Sequence, residues 1–131
     1  MQTKRHVLVV DDEKGTLAVV CQLLEKLGFR TTPANSGKEA LRCLEIDDRI
    51  DFVLTDINMP KMDGWALALQ IKETYPSKPI IAMTGESPAA VIPRLNGHGI
   101  DRVLFKPFKP IDLMQAISHI LDRPSGKRTV Q

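Results

Sequence analysis

The chain has 131 residues, a length typical of one domain and sufficient for one substantial hydrophobic core. Hydrophobic residues make up 43% and charged residues 26%, which excludes collagen-like, disordered and disulfide-scaffold classes. Lys plus Arg (18) exceed Asp plus Glu (16) by only two, so charge alone requires neither nucleic acid nor anionic lipid as a partner.

The apolar runs are too short to span a membrane. Wholly apolar runs have about four residues, such as residues 7–10, against the roughly 20 that a bilayer-spanning helix needs. The stretch after Lys4 is interrupted at Asp11, before it reaches the length of a signal-peptide core. We therefore expect a cytoplasmic protein without membrane insertion, in which Cys21 and Cys43 are small, buried or half-buried side chains.

Short apolar runs alternate with amphipathic stretches along the chain, which predicts a repeated βα unit. Strands are predicted over residues 6–10, 29–33, 51–55, 78–83 and 102–105. Four of these are nearly continuous in apolar residues, as in strands covered on both faces. The second is more polar, which favours a position at the edge of the sheet.

Apolar residues at helical spacing follow each strand. The first predicted helix carries this spacing as far as Leu27 and ends at Gly28, which tolerates a positive φ angle. The second begins at Ser36, a capping residue. Three further helices are predicted over residues 65–74, 88–96 and 110–121. The fourth helix should be short or kinked, because Pro93 removes a backbone hydrogen bond inside it.

Five βα units with right-handed crossovers predict an α/β fold, a doubly wound five-stranded parallel sheet with helices on both faces. In such folds ligands bind beyond the carboxyl ends of the strands. The polar residues at these ends are Asp11, Asp12, Asp56, Thr84 and Lys106. They are distant in sequence, but the predicted sheet brings them to one edge.

Three carboxylates at neighbouring strand ends would repel, by about 4 kcal/mol per pair at ~4 Å with an effective dielectric near 20. Lys106 supplies one compensating charge, and a hard cation such as Mg²⁺ would supply the rest. Mg²⁺ keeps coordination positions for phosphate oxygens, so the set predicts a phosphoryl-transfer site. Asp56 is the predicted nucleophile, and Asp11 and Asp12 hold the metal directly or through water. Thr84 and Lys106 would contact phosphoryl oxygens.

Four segments, in order and register, resemble the receiver domain of two-component response regulators. They are residues 9–13 (VVDDE), 56–64 (DINMPKMDG), 83–85 (MTG) and 106–108 (KPF). The resemblance runs from about His6 to Leu121 and is to the chemotaxis-regulator-like, single-domain type. It implies a flavodoxin-like (βα)5 receiver domain over residues 1–121. Residues 122–131 are expected to form a flexible C-terminal tail, and the chain is either a stand-alone regulator or a receiver excised from a longer protein.

Position by position, the resemblance implies that Asp56 is the phospho-acceptor, Thr84 the switch hydroxyl and Lys106 the phosphate-pairing lysine. The peptide bond between Lys106 and Pro107 is a candidate cis bond. The implied metal ligands are Asp11, Asp12, Asp56 and, through its backbone carbonyl, Asn58. The implied phosphoryl donor is a phosphohistidine on a sensor histidine kinase or histidine phosphotransfer protein, with acetyl phosphate as a small substitute.

The predicted function is a signalling switch in which Mg²⁺-dependent phosphorylation of Asp56 changes a partner-binding face. That face is formed by the fourth helix, the fifth strand and the fifth helix, and its downstream target is unknown. The protein would catalyse only its own phosphorylation and dephosphorylation, so we expect no enzyme in the usual sense. Direct nucleic-acid binding is not expected.

Two polar positions that resemble those of chemotaxis members, and one departure from the usual receiver pattern, carry further expectations. Asn58 and Glu86, both polar, lie two residues beyond Asp56 and Thr84, where the family controls access of water, and they predict a short-lived phosphoryl group. Val103 stands where the family often has Tyr or Phe. Because Val has no ring to move, we expect the switch to run through residues 84–88.

Two other functional classes are weaker fits. Haloacid-dehalogenase phosphatases also use Asp, Mg²⁺, Thr and Lys on a parallel sheet, but they need a second acid where this chain has Asn58. A nucleotide- or flavin-binding fold needs a glycine-rich loop after the first strand, where residues 11–13 are acidic and would repel phosphate.

Overall fold

The structure, a computed structural model, describes residues 4–121, in which five parallel strands form one sheet. The strands are β1 (His6–Val10), β2 (Arg30–Ala34), β3 (Phe52–Asp56), β4 (Ile80–Thr84) and β5 (Arg102–Phe105). Their order is β2-β1-β3-β4-β5, so the polar strand β2 lies at an edge, as predicted. The expected tail, residues 122–131, lies outside the described part of the chain.

Five helices connect and flank the strands. They are α1 (Lys14–Lys26), α2 (Gly37–Ile46), α3 (Gly64–Thr74), α4 (Pro88–Val91) and α5 (Pro110–Leu121). The predicted ends of α1 and α2 are confirmed: Gly28 has a φ of 100°, and the Ser36 hydroxyl accepts a hydrogen bond from the Glu39 amide at 3.1 Å. Helix α4 is a single turn, followed by a 3-10 turn (Ile92–Arg94) that contains Pro93. Among the described helices, none has the length and apolar character that a bilayer-spanning segment requires.

The core has two layers because alternate side chains of each strand point to opposite faces of the sheet. Val7 and Val9 of β1 pack with residues of α1 and α5. Leu8 and Val10 of the same strand pack with residues of α2 and α3. Every residue of β1, β3 and β4 is buried, as expected for strands covered on both faces. The predicted doubly wound architecture is therefore confirmed.

The boundaries of three strands differ slightly from the prediction. Strands β2 and β3 begin and end one residue later than predicted, and β4 begins at Ile80 instead of residue 78. Pro79 precedes β4 and has no backbone N–H to donate to a neighbouring strand. Strand pairing continues through Asp56, whose register partner is Met83, so this carboxylate belongs to the last residue of β3.

Helix α3 approaches the end of β3 at Gly64. A Cβ atom added to Gly64 would lie 2.6 Å from the carbonyl oxygen of Asp56 and 2.7 Å from the Cα of Ile57. We expect Gly64→Ala to lower the free energy of unfolding by about 1–3 kcal/mol, because backbone must move to relieve the overlap. Urea unfolding followed by circular dichroism measures the change.

Gly15→Ala in α1 is the matched control, because an added Cβ would have no neighbour within 4 Å. This substitution should be neutral or raise stability by about 0.5–1 kcal/mol, since alanine loses less backbone entropy in a helix. Equal effects of the two substitutions would contradict the close packing of α3 on β3.

Candidate functional site

The polar residues at the carboxyl ends of the strands form a row along one edge of the sheet. Asp11 directly follows β1, Asp56 and Thr84 end β3 and β4, and Lys106 directly follows β5. These four strands are consecutive in the sheet, so the row follows from their order. Backbone hydrogen bonds between neighbouring strands continue at both ends of this row. The Asp11 amide donates to the Ala34 carbonyl at 3.1 Å, and the Lys106 amide donates to the Thr84 carbonyl at 2.8 Å.

Three carboxylates meet in this row. Asp11, Asp12 and Asp56 each offer an oxygen, and these oxygens lie within 4.8 Å of one another. Asp11 and Asp56 are buried, at 2% and 6% exposure, whereas Asp12 is exposed. Partial exclusion of water strengthens the repulsion between the charges. The cluster therefore needs positive charge nearby.

Lys106 provides part of that charge. Its Nζ donates a hydrogen bond to Asp56 Oδ1 at 2.9 Å, and its side chain remains 33% exposed. The peptide bond between Lys106 and Pro107 is cis, as the resemblance implied. One ammonium against three carboxylates leaves two negative charges without compensation from this lysine.

Asp11 shows most directly that the cluster suits a cation. Its Oδ1 accepts a hydrogen bond from the Glu13 amide at 3.0 Å, while its Oδ2 is buried and has no partner among the described residues. Burial raises the pKa of Asp11, the nearby Asp56 carboxylate raises it further, and the Glu13 hydrogen bond opposes the shift. A buried carboxylate oxygen without a partner, beside two more carboxylates, is a donor set that fits a hard divalent cation.

The loop that carries Asp12 is fixed at the start of α1. Glu13 is the N-cap of this helix, and its carboxylate accepts hydrogen bonds from both the amide and the hydroxyl of Thr16. Hydrogen bonds from the Thr16 hydroxyl and amide lower the pKa of Glu13. Sequence reasoning missed this cap, although a carboxylate just before an amphipathic helix is a signal for one.

Asn58, Glu86 and Thr84 form a hydrogen-bonded group beside the carboxylates. Asn58 Nδ2 donates to Glu86 Oε2 at 2.7 Å, and the Thr84 hydroxyl donates to Asn58 Oδ1 at 3.2 Å. The same hydroxyl oxygen accepts from the Glu86 amide at 3.0 Å. Sequence spacing singled out Asn58 and Glu86 separately, but it did not show that they bond to each other or that Asn58 engages Thr84.

Substituting Asp11 tests the electrostatic cost of the site. A carboxyl whose pKa is raised by folding destabilises the folded state as pH rises above its unfolded value of about 3.9. In chelator-treated protein we expect Asp11→Asn to raise the thermal midpoint at pH 7. The gain should shrink as the pH is lowered towards about 4 and vanish below it, where the unfolded carboxyl is also protonated.

The matched control is Asp48→Asn, at an exposed carboxylate outside the cluster. Its thermal midpoint should follow that of the unaltered protein at both pH values. A loss of stability in Asp11→Asn at pH 7 would contradict the inferred repulsion.

Comparisons with known proteins agree with this arrangement. Residues 7–118 match the family described as the response regulator receiver domain. The two-component response regulator ORR11 of Oryza sativa subsp. indica is 35% identical over 118 residues, which are 88% of this chain and 80% of the relative.

Solved structures show the same fold at similar identity. A response regulator receiver domain protein from Clostridium thermocellum superposes with a TM-score of 0.85 at 32% identity, covering 91% of this chain and 95% of that one. The response regulator protein TrrA from Thermotoga maritima, solved in complex with Mg²⁺-BeF, gives a TM-score of 0.81 at 27% identity. That match covers 89% of this chain and 99% of TrrA.

Proposed function

The chain belongs to the response regulator receiver family, and from this premise we propose that Asp56 is the residue that accepts the phosphoryl group. Receiver domains of two-component response regulators are phosphoryl-accepting signalling domains. The observation that carries the assignment is the pairing of the nearly buried Asp56 carboxylate with Lys106 at 2.9 Å, inside a cluster with Asp11 and Asp12. The comparisons give no support to the haloacid-dehalogenase alternative.

Mg²⁺ is the proposed cofactor, held by Asp11, Asp12 and Asp56 and by the backbone carbonyl of Asn58. The support is the unpartnered Asp11 oxygen, the carboxylate cluster and the Mg²⁺-BeF complex of the TrrA relative. When bound, Mg²⁺ supplies positive charge that balances the carboxylates and the incoming phosphoryl oxygens.

The phosphoryl group reaches Asp56 by substitution at phosphorus. An Asp56 carboxylate oxygen forms the new P–O bond as the P–N bond of a phosphohistidine breaks, and the electron pair of that bond returns to the imidazole nitrogen. Lys106 then neutralises a phosphoryl oxygen with its ammonium group, and its partial exposure leaves room for this shift. Thr84 donates its hydroxyl to another phosphoryl oxygen after leaving Asn58.

Dephosphorylation removes the phosphoryl group by hydrolysis and does not return it to the histidine donor. Water attacks phosphorus, the P–O bond to Asp56 breaks, and the products are orthophosphate and the restored carboxylate. The proposed catalysis is thus confined to the protein's own phosphorylation and hydrolysis. The polar pair of Asn58 and Glu86 lies beside Thr84, and Asn58 is exposed, which favours access of water and a short-lived phosphoryl group.

Response regulators interact with histidine kinases and with downstream targets. For this chain we propose a phosphohistidine donor on a sensor kinase or phosphotransfer protein, and a cytoplasmic location. The receiver would comprise residues 1–121, and a downstream protein, not nucleic acid, would bind the face of α4, β5 and α5.

The assignment of Asp56 is tested by intact mass. Incubation with acetyl phosphate and Mg²⁺ should add one phosphoryl group, because a small phosphodonor replaces the phosphohistidine. Asp56→Asn should abolish the gain, as should EDTA, whereas Asp48→Asn should retain it. A phosphoryl group that persists on Asp56→Asn would place the acceptor elsewhere.

The lifetime of the phosphoryl group tests the role of the polar pair. Asn58→Met should slow loss of the added mass by about tenfold, because an apolar side chain excludes water from the site. Asn35→Met is the control, since Asn35 is an exposed asparagine outside the pair and should leave the rate unchanged. A phosphoform of the unaltered protein that persists for many hours with Mg²⁺ would contradict the short lifetime.

A further inference from the structure

Residues 88–99, here called the α4 segment, have little regular structure of their own. Helix α4 is one turn, the next turn contains Pro93, and Gly97 and Gly99 have positive φ angles of 86° and 80°. Backbone hydrogen bonds such as His98 N to Leu95 O, at 3.4 Å, connect neighbours within the segment. Its position against the sheet therefore depends on side chains.

Those side chains converge on Trp65 of α3, which is 3% exposed. The Arg94 guanidinium lies 4.5 Å from the centroid of the Trp65 ring, and the His98 ring lies 5.0 Å away at an interplanar angle of 64°. Val91, the buried residue of α4, belongs to the same cluster as Trp65 and Ala82 of β4. The indole thus holds both the start and the end of the α4 segment.

Two polar atoms at the contact between Trp65 and His98 lack hydrogen bonds within the described part of the chain. Trp65 Nε1 and His98 Nδ1 are buried, and neither has a hydrogen-bond partner among the described residues. A buried polar atom without a partner costs free energy that a fully paired or wholly apolar contact would not. These two unpartnered atoms therefore weaken the hold of Trp65 on the α4 segment.

Trp65 and the α4 segment are each connected through the chain to the proposed phosphorylation site. Trp65 follows Gly64, whose backbone abuts the carbonyl oxygen of Asp56. At the other end, Ser87 caps α4 through its hydroxyl and lies three residues after Thr84. A change at Asp56 or Thr84 thus reaches the α4 segment through very few residues.

We propose that Trp65, in contact with Arg94 and His98, is a latch that keeps the α4 segment in its unphosphorylated position and is released by phosphorylation. The inference rests on the proposed function, because it requires Thr84 to turn towards a phosphoryl group on Asp56. That turn removes the acceptor of the Glu86 amide, and the loop that begins α4 moves with it. Arg94 and His98 then leave the indole. Val103 has no aromatic ring that could move during the switch. In this proposal, exposure of the Trp65 indole takes the place of that movement.

Fluorescence of Trp65 tests the latch, because the chain contains one tryptophan. Acrylamide quenching is measured on the full chain with Mg²⁺, before and after addition of beryllofluoride as a phosphoryl mimic. Binding of the mimic is followed in the same sample by fluorine NMR. We expect the quenching constant to rise at least about twofold when the mimic binds, since the ring leaves a closed state.

Quenching and fluorine NMR together distinguish failure of the latch from failure of the proposed function. Bound mimic with unchanged quenching would overturn the latch and leave the proposed function intact. Absence of bound mimic, together with no phosphorylation by acetyl phosphate, would overturn the proposed function and the latch with it.

Variants of Arg94 and His98 test whether the latch is coupled to the phosphorylation site. If Arg94 favours the unphosphorylated state, Arg94→Ala should tighten mimic binding by about two- to fivefold, because a cation–π contact of ordinary strength is lost from that state. Arg94→Lys should restore much of the original affinity, since lysine keeps the cation. Arg42→Ala, at an exposed arginine of α2, should leave the affinity unchanged.

His98→Ala removes the second ring contact of Trp65, so it is an independent test and should also tighten binding of the mimic. A merely structural role would lower the thermal midpoint of these variants without altering mimic affinity. That result in both Arg94→Ala and His98→Ala, with circular dichroism showing folded protein, would overturn the latch.

Discussion

Repulsion among three carboxylates at one edge of the sheet is the constraint on which the rest of the site depends. Asp11 and Asp56 lie almost out of water, so their charges are poorly screened. The Lys106 ammonium offsets part of the repulsion, and Asp11 Oδ2 is left buried without a partner among the described residues. The site therefore lacks positive charge, which the proposed divalent cation would supply.

In the proposed switch, two loops would convert a change of charge at the site into a change of conformation. The hydroxyl of Thr84 is held by the Asn58 side chain and by the Glu86 amide, so it is engaged by the loops after both β3 and β4. In the proposed switch, the Thr84 hydroxyl would exchange these hydrogen bonds for one to a phosphoryl oxygen. Such an exchange has a small net free energy, which is the condition for an equilibrium that a single modification can shift.

Much of the fold and the membership of the site could be predicted from sequence, because both follow from strand order. Apolar runs located the strands, and parallel topology then required Asp11, Asp56, Thr84 and Lys106 to share an edge. What could not be predicted depends on packing between distant segments. The Asn58–Glu86 hydrogen bond is one example, and another is the placement of Arg94 and His98 on Trp65. Strand β4 begins later than predicted because the pattern of apolar residues does not take account of the missing backbone N–H of Pro79.

The strand order also has a consequence for synthesis of the chain. Once β1 and β2 have paired, each later strand adds to the other side of β1, in the order β3, β4 and β5. The sheet can thus grow in one direction as the polypeptide leaves the ribosome. Lys106 follows the last strand, whereas Asp11 and Asp56 follow or end earlier ones. In such growth the acidic members of the cluster are in place before Lys106, and the last βα unit completes the sheet and adds the ammonium that offsets part of their negative charge.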